Sequence, residues 1–228
     1  MNTLPHWWQN GVIYQIYPKS FQDTTSSGTG DLRGVTSRLD YLQKLGVDAI
    51  WITPFYVSPQ VDNGYDIANY TEIDPSYGTL DDFDKLVAEA HQRGIRIVLD
   101  MVLNHTSTHH AWFKESLKKE SPYRQFYIWR DGTPDTPPNN WRSKFGGNAW
   151  QWDAASGQYY LHLFATEQAD LNWENETVRA ELKKVCEFWA DRGVDGLRLD
   201  VINLISTDQH FPADHQGDGR RFSTDAPP

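Results

Sequence analysis

The sequence predicts an α/β fold on a parallel sheet, with a small α+β domain inserted after the third strand. Short β-forming runs alternate with longer amphipathic ones in the order βαβαβ and then αβ. The stretch from roughly Leu103 to Asn172 is far longer than a βα loop and carries its own strand-like run, Tyr159 to Phe164. Four strands of the main sheet are readable before a polar tail, Asp208 to Pro228. That number leaves two architectures open, a small open α/β domain or the first half of an eight-stranded β/α barrel.

Each element rests on its own pattern. Residues 12–17 (VIYQIY) read as the first strand, stopped by Pro18. Residues 33–45 read as one helix, with Val35, Leu39, Leu42 and Leu45 on its apolar face and Gly46 as its stop. Residues 48–53 (DAIWIT) form the second strand, closed by Pro54. Thr79 reads as the N-cap of a helix over 80–93 with an acidic first turn and Gly94 at its end. Residues 95–102 (IRIVLDMV) are the third strand. A helix over 175–192 turns Val178, Leu182, Val185 and Trp189 to one side and stops at Gly193; the fourth strand follows over 194–201. No internal repeat is visible, and Thr133 to Asn140 reads as a Pro-Asn-rich loop.

Composition narrows the function. The chain has 228 residues, 23% of them charged and 39% hydrophobic, enough for a sizeable core and incompatible with intrinsic disorder. No apolar run approaches ~18 residues, and the opening MNTLPHWWQN lacks a secretory pattern, so neither a membrane span nor a leader is expected. Cys186, the single cysteine, suits a reducing compartment, with the cytoplasm as default. A net charge of −10 repels phosphate backbones and anionic lipid, which excludes nucleic acid and membrane surfaces as partners. Aromatic residues reach 14%, including ten Trp. Their flat faces suit the C–H face of a sugar, although a large core would use them equally well.

Several constellations could carry chemistry. Asp100 and Asp200 stand near the ends of strands three and four, where parallel sheets present ligands. Arg198, two residues before Asp200, shares its face, while Leu197, Leu199 and Val201 take the other. A guanidinium there favours a charged, nucleophilic carboxylate; a structural Arg–Asp pair is the equal alternative. Asn104 and His105 follow strand three, either to meet a ligand hydroxyl or to cap the strand. His105, His109 and His110 match no zinc spacing. Asp62-Asn63-Gly64-Tyr65-Asp66 marks a tight turn after strand two. The run from Gly28 to Gly34 fails the dinucleotide fingerprint at Arg33. Asp23 to Gly28 has the rhythm of a calcium loop with hydroxyls replacing two ligands, so Asp23 and Asp31 are only weak candidates for a cation, and no metal is expected.

Together these pieces resemble the α-amylase superfamily of retaining α-glucosidases, glycoside hydrolase family 13. Asp100 to His105 is similar to its D-x-x-x-N-H signature, Gly196 to Asp200 to its nucleophile strand, and Gln168 to Asn172 to the motif closing its inserted domain. Val12 to Pro18 and Asp62 to Asp66 also match, in order. The resemblance implies the first half of a TIM (β/α)8 barrel over 1–103 and 173–228, with an inserted domain over 104–172. It implies Asp200 as nucleophile and Arg198 as the residue that orients it, with Asp100 in support. Asp62 and His105 would bind glucose hydroxyls, Asn104 would support them, and Tyr65, Phe145 and Phe164 would wall the ring. The acid/base glutamate and a stabilising aspartate follow strands five and seven in that family, beyond Pro228, so the chain is expected to be an N-terminal part and inactive alone. Thr25 and Ser27 stand where cation-binding members that hydrolyse α-1,6 links carry Asn and Asp; the hydroxyl form resembles the group acting on α,α-trehalose 6-phosphate. A small sugar phosphate, no organic cofactor and a monomer are the corresponding expectations. The phosphate would need a cation, for which Arg220 and Arg221 are candidates. A carbohydrate-binding module on the same scaffold is the alternative to an enzyme.

Overall fold

The computed structural model describes residues 6–214. In chain order it forms α1 Trp7–Asn10, β1 Ile13–Ile16, α2 Pro18–Phe21, α3 Leu32–Ser37, α4 Leu39–Leu45, β2 Ala49–Ile52, β3 Tyr56–Val57, β4 Asn69–Ile73, α5 Leu80–Gln92 and β5 Arg96–Val102. There follow β6 His105–Ser107, α6 Ala111–Ser116, a 3-10 turn Pro122–Phe126, β7 Trp129–Asp131, β8 Trp150–Asp153, β9 Gln158–Leu161 and β10 Gln168–Asp170. The chain continues through α7 Glu176–Asp191, β11 Gly196–Asp200 and a 3-10 turn Ile202–Leu204. These residues divide into two compact units. The first takes those up to Val57, with Asn69–Met101 and Lys183–Leu199; the second takes Ser58–Ala68, Val102–Leu182 and those from Asp200 on.

The first unit is built on a sheet of order β1-β2-β5-β11. β1 and β2 pair in parallel, as do β2 and β5, so that Ile16 lies beside Ile52, and Ile52 beside Leu99. All three side chains are fully buried, as expected of strands covered on both faces. Helix α5 forms where the sequence predicts it. Thr79 caps it by accepting from the Asp82 amide while Asp82 accepts from Thr79, a reciprocal box that satisfies two otherwise orphaned donors. Phe83, Leu86, Val87 and Ala90 form its buried face. Gly46, Gly94 and Gly193 follow α4, α5 and α7 at positive φ.

The single helix expected over 33–45 is two. Thr36 and Ser37 return their hydroxyls to the Leu32 and Gly34 carbonyls, competing with the helix ladder, and the chain breaks at Arg38. Leu32, Val35, Leu39 and Leu42 are buried, whereas Leu45, about 240° around from Leu39, is exposed. Leu199, on the face of β11 opposite Arg198, is 41% exposed. The antiparallel β3–β4 pair was not legible, because a two-residue strand carries no period.

Tryptophan fills the core here. Trp189 on α7 is fully buried against Phe55, Tyr56 and Phe83, with ring centroids 5.7, 5.5 and 5.0 Å away. Its indole N–H donates to the Tyr70 carbonyl at 2.9 Å.

The second unit contains an antiparallel sheet β7-β9-β8 and the antiparallel pair β6–β10. Ile128, Ala149, Trp150, Tyr159, Leu161, Leu163 and Phe211 make its core. Phe211 belongs to the stretch read from sequence as a polar tail. The part of that tail within the described residues is held in place: Phe211 and Asp214 are buried. No helix among the described residues is long and apolar enough to cross a membrane.

Candidate active site

In the second unit, Asn63 and Gly64 sit at φ 50° and 101°, so the turn from Asp62 to Tyr65 has the two positive-φ central residues of a type I′ turn. Buried Asp66 holds it by accepting from the Val61 and Asp62 amides at 2.9 and 3.0 Å. His105 starts β6 opposite Asp170 of β10. Its Nε2 lies 3.1 Å from the Tyr65 carbonyl and its Nδ1 3.2 Å from the Asn104 amide nitrogen. The Gln168 amide nitrogen also lies 3.1 Å from Nε2, so the ring is held between the Tyr65 carbonyl and the Asn104 and Gln168 side-chain amides. Burial, the largest effect, pushes the His105 pKa down to about 4, leaving the ring neutral at neutral pH.

Gln168 completes the cluster. Its carbonyl accepts from the Ala165 amide at 2.9 Å, which turns its NH₂ group toward Asp62 Oδ2 at 2.9 Å. Burial raises the Asp62 pKa; the Gln168 bond opposes this, and the charges of Asp66 and Asp200 add to it. Phe164 packs on His105 with ring centroids 5.2 Å apart, and Phe145, 61% exposed, meets Phe164 edge-on at 5.6 Å. The structure therefore gathers Asp62, His105, Asn104, Phe164 and Phe145. Tyr65 joins through its carbonyl. Gln168 stood in a recognised motif but not among the expected site residues; alternation along β10 places it on the face of Asp170, which was the available signal.

In the first unit, Asp100 is fully buried. It accepts from Arg198 Nη1 at 3.0 and 3.3 Å and from the Trp51 indole at 3.1 Å, and the guanidinium stands 4.9 Å over the Trp51 ring. Charge pairing and stacking together set the direction of Arg198, two residues before Asp200 on β11. Asp200 ends that strand. Val201, expected within it, instead adopts a left-handed conformation at φ 41°, ψ 35°, which costs a β-branched residue about 1–3 kcal/mol.

The loop of Asp23 and Asp31, the weak cation candidates, also belongs to the first unit. Asp23 accepts from the Thr25 amide and hydroxyl and the Gly28 amide. Asp31 accepts from the Thr24 amide and hydroxyl and caps α3 at the Gly34 amide, 2.7 Å away. Among the described residues no group of three or more His, Cys, Asp or Glu is placed to hold a metal.

Within the second unit a half-buried carboxylate, a neutral imidazole and aromatic faces come together, the equipment of a sugar site. The family profile described as "Alpha amylase, catalytic domain" matches residues 15–228. The chain belongs to the α-amylase family. Along its whole length it is 82% identical over 227 residues to a trehalose-6-phosphate hydrolase of Escherichia coli (strain K12), spanning 41% of that protein. An oligo-1,6-glucosidase of Heyndrickxia coagulans is 56% identical over 96% of the chain and 40% of its own length. The crystal structure of Bacillus licheniformis trehalose-6-phosphate hydrolase superposes with a TM-score of 0.93 at 59% identity, over 97% of this chain and 40% of that one. This α-amylase family chain thus spans about 40% of the length of the curated relatives it matches.

Proposed function

We propose that this chain supplies the nucleophile and the glucose pocket of a retaining hydrolase acting on α,α-trehalose 6-phosphate. The observation that carries the substrate is the identity with the Escherichia coli relative across the whole chain. Asp200 attacks C1 of the unphosphorylated glucosyl ring. The bond from C1 to the bridging oxygen breaks, and that oxygen takes a proton from an acid glutamate, releasing glucose 6-phosphate. Water then attacks C1, gives its proton to the same glutamate, and displaces Asp200 to free glucose. We assign the glutamate, and the stabilising aspartate, to the part of the relatives that this chain does not span.

Arg198, held by Asp100, orients Asp200. Asp62 and His105 hydrogen-bond hydroxyls of the glucose being transferred, with Asn104 and Gln168 holding them in place. Tyr65, Phe145 and Phe164 wall the ring. The reading takes residues 1–103 and 173–228 as part of a (β/α)8 barrel and 104–172 as its inserted domain. It needs no organic cofactor, since carboxylates supply both nucleophile and acid–base, and it describes a cytoplasmic monomer. Arg220 and Arg221, the candidates for the substrate phosphate, lie outside the described residues.

The test is a chimera in which the remaining length of the Escherichia coli relative follows this chain. It is expected to release glucose from trehalose 6-phosphate far faster than from trehalose or isomaltose. Equal rates on phosphorylated and plain sugars would defeat the phosphate reading, and a preference for isomaltose would favour the α-1,6 alternative. The hydroxyl-filled loop supports the first outcome, because Thr24 and Thr25 occupy the carboxylates a cation would use. In the same chimera, Thr25→Asn with Ser27→Asp is expected to make the melting temperature rise with added calcium and fall with chelator. The parent chimera is expected to respond to neither.

A further inference from the structure

We propose that Asn139, Asn140 and Trp141 are positioning residues that clamp the segment following Asp200, and so keep the turn at Val201 that aims its carboxylate. The inference rests on Asp200 being the nucleophile. Three consecutive side chains grip the backbone at Phe211, Pro212 and Asp214, all within the second unit. Asn139 Nδ2 donates to the Phe211 carbonyl at 3.1 Å, and the Trp141 indole N–H to the Pro212 carbonyl at 2.9 Å. The Asn140 amide donates to the Asp214 carbonyl at 3.0 Å and accepts from the Asp214 amide at 2.6 Å, a two-point pairing like one rung of a sheet. Asn139 is itself locked, since its carbonyl accepts from the Trp150 indole at 2.7 Å and the Trp141 amide at 3.0 Å.

Packing reinforces the grip. Phe211 lies between Trp141 and Trp150, with centroids 5.6 and 5.8 Å away, and the Arg130 guanidinium stands 3.9 Å over its face. Leu204, at the end of the turn after Val201, packs on the same core. The segment is thus fixed near both ends, and at both it carries strain: Val201 and Phe211 are non-glycine residues at φ 41° and 48°. Such conformations persist only where surrounding contacts over-determine them. Between the anchors, residues 205–210 are largely exposed and contribute little burial. Releasing 211–214 takes Phe211 out of the core on which Leu204 packs and so loosens the restraint on Val201, whose relaxation to negative φ rotates the backbone adjoining Asp200. An ångström of misplacement in a reacting group costs on the order of 100-fold in rate.

The test uses the chimera and an activated fluoroglucoside that traps the nucleophile. Asn140→Ala, and the milder Trp141→Phe, which keeps the ring on Phe211 but deletes one donor, are expected to slow labelling of Asp200 by about 10- to 100-fold. The melting transition should remain cooperative, and amide exchange over 201–210 should accelerate. Adding Val201→Gly, which tolerates the left-handed turn without strain, is expected to recover part of the lost rate in either background. A purely structural role predicts no such recovery, and additive losses overturn the inference. Label on Asp200 at equal rates in parent and Trp141→Phe, with unchanged exchange, also overturns it while leaving the nucleophile assignment intact. Label on another carboxylate overturns both.

Discussion

Asp200→Asn in the chimera is expected to abolish glucose release, by at least about 10³-fold, while leaving the thermal transition unchanged. The amide is nearly isosteric with the carboxylate, so the end of β11 keeps its shape, but a neutral amide is no nucleophile toward an anomeric carbon. Loss of a covalent catalyst falls on kcat and kcat/KM together, because the interaction removed exists only on the way to the transition state. Labelling by the fluoroglucoside should vanish with turnover. Retention of either within tenfold of the parent would remove Asp200 from the mechanism and shift attention to Asp62, a carboxylate of the cluster around His105 in the second unit. Asp100 makes a poor substitute, since it is fully buried and committed to Arg198 and Trp51.

The largest effect on stability is expected from Trp189→Ala. Deleting a fully buried indole costs about 3–5 kcal/mol, from lost transfer energy and the cavity left among Phe55, Tyr56 and Phe83. The Tyr70 carbonyl also loses its donor. Trp189→Phe separates the two contributions: it refills most of the volume, so about 1–3 kcal/mol should remain for the missing hydrogen bond and the residual gap. Urea unfolding of the chimera measures both. A loss below about 1 kcal/mol for the alanine variant would mean that this aromatic cluster rearranges to close the hole, contrary to the packing described.

Much of this protein was determined by the sequence alone. Pattern placed the strands of the main sheet and helices α5 and α7, because each rests on local rules: β-formers ended by proline, a capping box at Thr79, and apolar residues three and four apart. The family was equally legible, since its motifs are short, ordered and carried by residues whose chemistry survives without neighbours. Tertiary structure decided the rest. Whether 33–45 is one helix or two depends on hydroxyls turning back on the backbone, and propensity does not rank that competition. The membership of Gln168 in the sugar site depends on β10 lying beside β6, a pairing between residues about 60 positions apart in the chain. The tail beyond Asp208 reads as polar, yet Phe211 and Asp214 are buried because Asn139, Asn140 and Trp141 reach them across more than 70 residues. Local sequence encodes the propensity of each segment; which side chain meets which distant backbone is set by chain topology, and only the folded molecule contains that.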